Sequence, residues 1–119
     1  MLTLSQIKYL LAAYGAGGSV KTAELAKSLS VSAPSVCRAA DNLICAGLLK
    51  READKSLSLT KKGAEEARRY KACACVISAR LENELGLRKA AADNYALRIA
   101  AVFDDVCIKK ITELNGKEG

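Results

Sequence analysis

An amphipathic helix, a short second helix, a brief turn, a third helix and a short alternating segment follow one another over the first sixty or so residues, and helical patterning fills the rest. This order predicts a mainly α chain: a winged helix-turn-helix domain over residues 1–63, a helical dimerisation region over 64–114 and a polar tail over 115–119. Three observations carry the prediction. They are the 3.6-residue spacing of the first three helical segments, the switch to alternation at Leu57 and Leu59, and the return of helical spacing after Thr60.

Leu4, Ile7, Leu10, Leu11 and Tyr14 recur at helical spacing with Ser, Gln and Lys between them, which predicts a first amphipathic helix over 3–14. Gly15, Gly17 and Gly18 read as a flexible loop. Thr22 is then placed to cap a short helix, AELAKSL, with Leu25, Ala26 and Leu29 facing inward. Ser30-Val31-Ser32 is a turn, and Ser32 is a good N-cap for a third helix with Pro34 in its first turn, where the missing backbone N–H costs nothing. That helix buries Val36, Ala40, Leu43 and Ile44, presents Ser35, Arg38 and Asn42 on its opposite face, and stops at Gly47.

Leu57 and Leu59 alternate with Ser56 and Ser58 after the polar turn Glu52-Ala53-Asp54-Lys55, which predicts a short β-hairpin. Thr60 caps a long helix from Lys61 to the break at Gly86. Tyr95, Ile99, Val102, Phe103, Val106 and Ile111 then make an apolar stripe on one helix from about Ala90 to Leu114. A stripe of that length requires a partner.

The chain has 119 residues, of which 50% are hydrophobic and 27% charged, with a single Pro and a net charge of +6. The charge is unevenly spread. Residues 1–71 hold 12 Lys and Arg against the six acids Glu24, Asp41, Glu52, Asp54, Glu65 and Glu66, whereas residues 72–119 hold 7 of each sign. A basic module joined to a neutral segment points to a polyanionic partner for the first part and another task for the second. Gln6 and Lys8 interrupt the opening apolar run, and no stretch approaches the roughly 20 apolar residues of a membrane span, so a cytoplasmic protein without a membrane partner is expected. Five cysteines, Cys37, Cys45, Cys73, Cys75 and Cys107, are an odd count and read as reduced thiols.

Enzymatic readings find no footing, and neither a catalytic residue nor a small-molecule substrate is expected. There is no His for general-base work, no Ser in a nucleophile-elbow context, and Gly15-Ala16-Gly17-Gly18 lacks the Lys-Ser/Thr continuation of a phosphate loop. The third helix is instead the element to expect in the major groove of duplex DNA, whose width of about 12 Å admits one α-helix. Ser32, Pro34, Ser35 and Arg38 occupy its N-terminal turns. Arg38 is the candidate for a bidentate contact to guanine, while Ser32 and Ser35 at the helix N-terminus suit phosphate. Lys50, Arg51 and Lys55 of the hairpin would lie along the DNA backbone or minor groove, adding affinity with little sequence information. The expected function is a DNA-binding transcriptional regulator. A winged helix used as a protein-interaction adaptor stays open beside it.

The run VKTAELAKSLSVSAPSVCRAADNLICAGLLKREADKSLSLTKKG, followed by a long helix, the Gly86-Leu87 break and a last helix, resembles the diphtheria-toxin-repressor and manganese-transport-regulator family of iron-dependent repressors. The pieces that match best are AELAKSLSVSAPSV, LTKKG and the spacing to Gly86-Leu87, within a resemblance covering residues 3–114. The resemblance implies a homodimer built on the helices after the wing, repressing metal-uptake genes when Mn²⁺ or Fe²⁺ is bound. The family's ligand positions fall here at about Ser5 and Lys8, at Ala74 and Ser78, and at Asp93, Leu97, Ala100 and Ala101, of which only Asp93 suits a cation. No metal or other cofactor is therefore expected, and dimer and DNA affinity should not depend on the usual metal. Cys73 and Cys75, two apart on a helix, point about 200° apart and cannot chelate one ion unaided. A thiol-responsive or cysteine-metal-responsive regulator, with Cys37 beside Arg38, stays open as a variant of the same reading.

Overall fold

The computed structural model describes residues 2–118, with side chains through Leu114. The predicted tail 115–119 therefore lies outside the described side chains, and Gly119 outside the described residues altogether. The elements run α1 Leu4–Gly15, β1 Ser19–Val20, α2 Thr22–Leu29, α3 Ala33–Cys45, β2 Leu49–Arg51, β3 Leu57–Leu59, α4 Lys61–Leu85, α5 Lys89–Val102 and α6 Asp105–Glu118. The fold is mainly helical, a winged helix-turn-helix followed by further helices. None of the helices among the described residues is long and apolar enough to cross a membrane. The described residues divide into two compact units, Ser5–Arg68 and those from Arg69 onward together with the ones before Ser5.

In the first unit the expected helix faces turn inward. Ile7 and Leu10 of α1, Leu25 of α2, and Val36, Ala40 and Leu43 of α3 are buried, at about 1.5–3 kcal/mol for each large aliphatic side chain withdrawn from water. Tyr9 and Ala13 are buried too, so the buried face of α1 is wider than the predicted stripe. The hairpin pairs Leu49 with Leu59, Lys50 with Ser58 and Arg51 with Leu57. A third strand joins it: Ser19 pairs with Ser58 and Val20 with Leu57, giving the antiparallel order β1-β3-β2. The glycine-rich stretch turns at 16–18 as expected, and the strand that follows it is not legible in the sequence. Two residues have no readable period, and only the presence of β3 makes Ser19-Val20 a strand.

The second cap also differs from expectation. Thr22 is the first residue of α2 and Lys21 its N-cap, extended at ψ 146 with no side-chain hydrogen bond. The capping of α3 and α4 is as expected. The Ser35 N–H donates to Ser32 Oγ at 3.3 Å, and the Gly63 N–H donates to Thr60 Oγ1 at 3.0 Å. Gly47 follows the α3 C-cap with φ +78, a left-handed conformation that glycine adopts without penalty.

Gly63 has a different duty. A Cβ placed on it would sit 1.9 Å from the Leu48 carbonyl oxygen, so the first turn of α4 lies directly against the backbone leading into β2. The same joint is closed by Thr60, whose N–H donates to the Leu48 carbonyl at 3.1 Å and whose hydroxyl donates to the Gly47 carbonyl at 2.6 Å.

In the second unit, the single helix expected over 90–114 is two helices. Phe103 is extended at ψ 140, and Asp104 Oδ1 accepts the Cys107 N–H at 2.8 Å, capping a fresh start at Asp105. A short acidic side chain that bonds its own backbone three residues on competes with helix continuation. Ala92, Ala96 and Ala100 of α5 and Ile108 of α6 are buried, whereas Tyr95, Val102 and Val106 of the predicted stripe are 53%, 73% and 61% exposed. Small side chains at i, i+4, i+8 let α5 lie close against its neighbours, which leaves the bulkier residues outside. Arg69 of α4 pairs with Asp105 of α6 at 3.0 Å and lies 5.5 Å over the Tyr70 ring.

Candidate nucleic-acid interface

The start of α3 is built by its cap. Ser32 and Ser35 share a hydroxyl hydrogen bond of 2.9 Å in addition to the backbone cap, and Pro34 sits within the first two helical positions. Since Val36, Ala40 and Leu43 are buried, the remaining arc of the helix faces water. Ser32, Pro34, Ser35, Arg38, Asp41, Asn42 and Cys45 are all exposed on it. Among the described residues Arg38 has no carboxylate within ion-pairing distance.

The hairpin presents its cations differently from one another. Lys50 on β2 has Nζ 3.5 Å from Glu52 Oε1, and Arg51 on the same strand has Nη2 3.4 Å from Asp41 Oδ1 of α3. Lys55 stands at the tip, exposed and without an ion pair among the described residues. Its conformation is set by its neighbours: the Lys55 N–H donates to the Glu52 carbonyl at 2.9 Å and the Glu52 N–H to the Ser56 carbonyl at 2.9 Å. Asp54 Oδ1 accepts both the Ser56 hydroxyl at 2.6 Å and its N–H at 3.0 Å, and these bonds hold the Asp54 carboxyl below the ordinary carboxylate value. Lys55 itself lies at φ +68, the left-handed region that costs a non-glycine residue about 1 kcal/mol. The braced turn keeps this cation at the extremity of the wing.

Every predicted DNA-facing residue is thus exposed on one of two neighbouring elements, α3 and the hairpin, and Arg51 links the two. Sequence reasoning missed Asp41 as its partner. The spacing of Arg38 and Asp41, three apart, was visible, but a partner ten residues away on another element was not.

The positions at which the resemblance would put metal ligands on α4 and α5 do not suit a metal. Ala74, Leu97, Ala100 and Ala101 carry no donor atoms. Asp93 Oδ1 accepts the hydroxyl of the buried Ser78 at 2.5 Å, and Oδ2 lies 3.4 Å from Lys89 Nζ. The Ser78 bond is the main cause holding the Asp93 carboxyl below its usual range. Among the described residues no group of three or more His, Cys, Asp or Glu could hold a metal ion. Cys73 is buried and Cys75 exposed, as their spacing requires. Burial pushes the Cys73 thiol up.

Helix, short helix, capped third helix and a three-stranded wing define this part of the chain as a winged helix-turn-helix. Residues 2–56 match the sequence profile of the MarR family. No curated protein matches the chain. Among solved structures it is similar to the hypothetical protein SSo2273 from Sulfolobus solfataricus at 24% identity, over 98% of this chain and 91% of that one, with a TM-score of 0.72. It is also similar to the manganese regulator SloR, at 20% identity, over 98% of this chain and 55% of that one, with a TM-score of 0.76. A manganese-dependent transcriptional repressor in complex with manganese is 23% identical over 93% of this chain and 52% of its own, with a TM-score of 0.77. The chain spans about half the length of these two regulators. At such identities the likeness is one of fold, and the profile that the sequence matches is the MarR one, over the DNA-binding half of the expected architecture.

Proposed function

We propose that this chain is a DNA-binding transcriptional regulator, a homodimeric cytoplasmic repressor of the metal-dependent-repressor architecture that works without the usual manganese or iron site. One observation carries the reading: the N-terminal turns of α3 are capped, exposed and basic at Arg38 while Val36, Ala40 and Leu43 on the opposite face are buried, beside a wing whose tip is a braced lysine. In that arrangement Ser32, Pro34, Ser35 and Arg38 meet the major groove and the phosphates flanking it, and the wing cations Lys50, Arg51 and Lys55 follow the backbone. Lys55 supplies the freest charge.

The exposed Tyr95, Val102 and Val106 of α5 and α6 support a second copy as the partner of the region 64–114. Two such protomers would present their α3 helices to half-sites about 34 Å apart. The independence from metal rests on Asp93, whose oxygens are already engaged by Ser78 and Lys89.

The test is fluorescence anisotropy on duplexes selected from a randomised pool, with and without a chelator. The expected result is salt-sensitive binding that the chelator leaves unchanged, with altered base preference in Arg38→Ala and uniformly weaker binding in Lys55→Ala. Absence of duplex binding at low salt would overturn the regulator reading, and loss of binding on chelation would overturn its metal independence.

A further inference from the structure

The exposed arc of α3 carries an acid as well as a base. Asp41 lies three residues beyond Arg38, on the same face, with its side chain 71% exposed. Facing a duplex, an uncompensated carboxylate at this position would be repelled by phosphate. It is compensated from the wing: Arg51 Nη2 lies 3.4 Å from Asp41 Oδ1. Asp41 Oδ2 makes no hydrogen bond among the described residues. The pair therefore presents one free acceptor oxygen, at no net charge, from the helix proposed to enter the major groove.

An acceptor-only group in the major groove suits an exocyclic amino group. Cytosine offers its N4 amino group there, whereas adenine sets the N7 acceptor beside its N6 amino group and repels a carboxylate, and guanine and thymine show acceptors. We propose that Asp41 is a specificity-determining residue that accepts from a cytosine N4 amino group, and that Arg51 is the positioning residue that neutralises and holds it. The inference rests on the DNA-binding reading and refines one cation within it. Arg51 acts through Asp41, unlike Lys55, which acts on phosphate directly.

The experiment is selection from a randomised duplex pool followed by affinity measurement for wild type, Asp41→Ala, Asp41→Asn, Arg51→Ala and the double variant Asp41→Ala/Arg51→Ala. Asp41→Ala is expected to lose a cytosine preference of about 5- to 100-fold at one position in each half-site. Asp41→Asn is expected to move that preference toward adenine, since an amide can both accept from N6 and donate to N7. Arg51→Ala should weaken binding about tenfold in the wild-type background but less than about threefold in the Asp41→Ala background, because its work is done on Asp41. Melting temperatures close to wild type are expected throughout, as both side chains are at the surface. If wild type binds duplex but Asp41→Ala keeps the cytosine preference, or the Arg51→Ala loss is equal in both backgrounds, this inference is overturned and the DNA-binding reading survives. If wild type binds no duplex, both fall.

Discussion

Gly63→Ala is the substitution whose cost the structure states most directly. The added Cβ would stand 1.9 Å from the Leu48 carbonyl oxygen, against the 3.4–4 Å of ordinary contact, so backbone must move by more than 1 Å. Neither side is free to yield. The Leu48 carbonyl accepts the Thr60 N–H, Thr60 Oγ1 bonds the Gly47 carbonyl, and the same oxygen receives the Gly63 N–H. Overpacking costs about 1–3 kcal/mol. The loss of one or two of these hydrogen bonds adds about 1–2 kcal/mol. The better helix propensity of Ala returns about 1 kcal/mol. The net loss is about 1–4 kcal/mol, which for a chain of this size lowers Tm by roughly 4–15 °C. Thermal unfolding followed by circular dichroism at the helix band reads it. Gly15→Ala is the internal comparison: it ends α1, has nothing within 4 Å of its Cβ position and no positive φ, so its Tm should rise by a few degrees at most. A Gly63→Ala protein that melts at or above wild type would refute the close approach of α4 to the β2 backbone.

Further outcomes follow from other contacts. Lys55→Gly should keep or raise Tm by relieving the left-handed φ while weakening duplex binding, a split that a merely structural lysine would not produce. Hydrogen bonds from Ser56, Ser78 and Cys107 hold the carboxyls of Asp54, Asp93 and Asp104 below the ordinary aspartate range, so the folded form binds these protons less readily than the unfolded chain. Their contribution is therefore fully present above the unfolded value and is lost as pH falls through the lowered folded ones. Tm should drop on acidification below about pH 4, and Asp93→Asn should flatten that drop; equal acid sensitivity in the variant would count against the Ser78–Asp93 bond. A thiol reagent should label Cys37, Cys45 and Cys75 rapidly in the native chain and Cys73 only on unfolding, which mass spectrometry resolves site by site. Val106→Asp should shift the chain toward monomer in sedimentation analysis if the exposed α5 and α6 residues form the dimer seam, and an unchanged mass would remove them from it.

Much of the winged helix-turn-helix half is written locally. Ser32 followed by Pro34 and Ser35 specifies a helix start, because a side-chain oxygen three residues before a backbone N–H caps it whatever surrounds it. The same logic made Thr60 and Gly63 legible as the opening of α4, and the 3.6 period of Val36, Ala40 and Leu43 identified the buried side of α3 and, by elimination, the arc with Arg38. The second unit is less legible, because the apolar stripe from Tyr95 to Ile111 runs past Asp104 at helical spacing and hides the cap that breaks the helix there.

The sequence alone determined where α3 and α4 start, which face of α3 is exposed and where the basic charge lies, since capping, periodicity and charge act within a few residues of one another. The tertiary structure decided what depends on distant partners. It turned Ser19-Val20 into a strand, chose Ala92, Ala96 and Ala100 over Tyr95 and Val102 as the buried face of α5, and set Asp41 against Arg51 and Ser78 against Asp93. Burial and pairing across elements depend on the shape and charge of the surface opposite, and no local pattern encodes that surface.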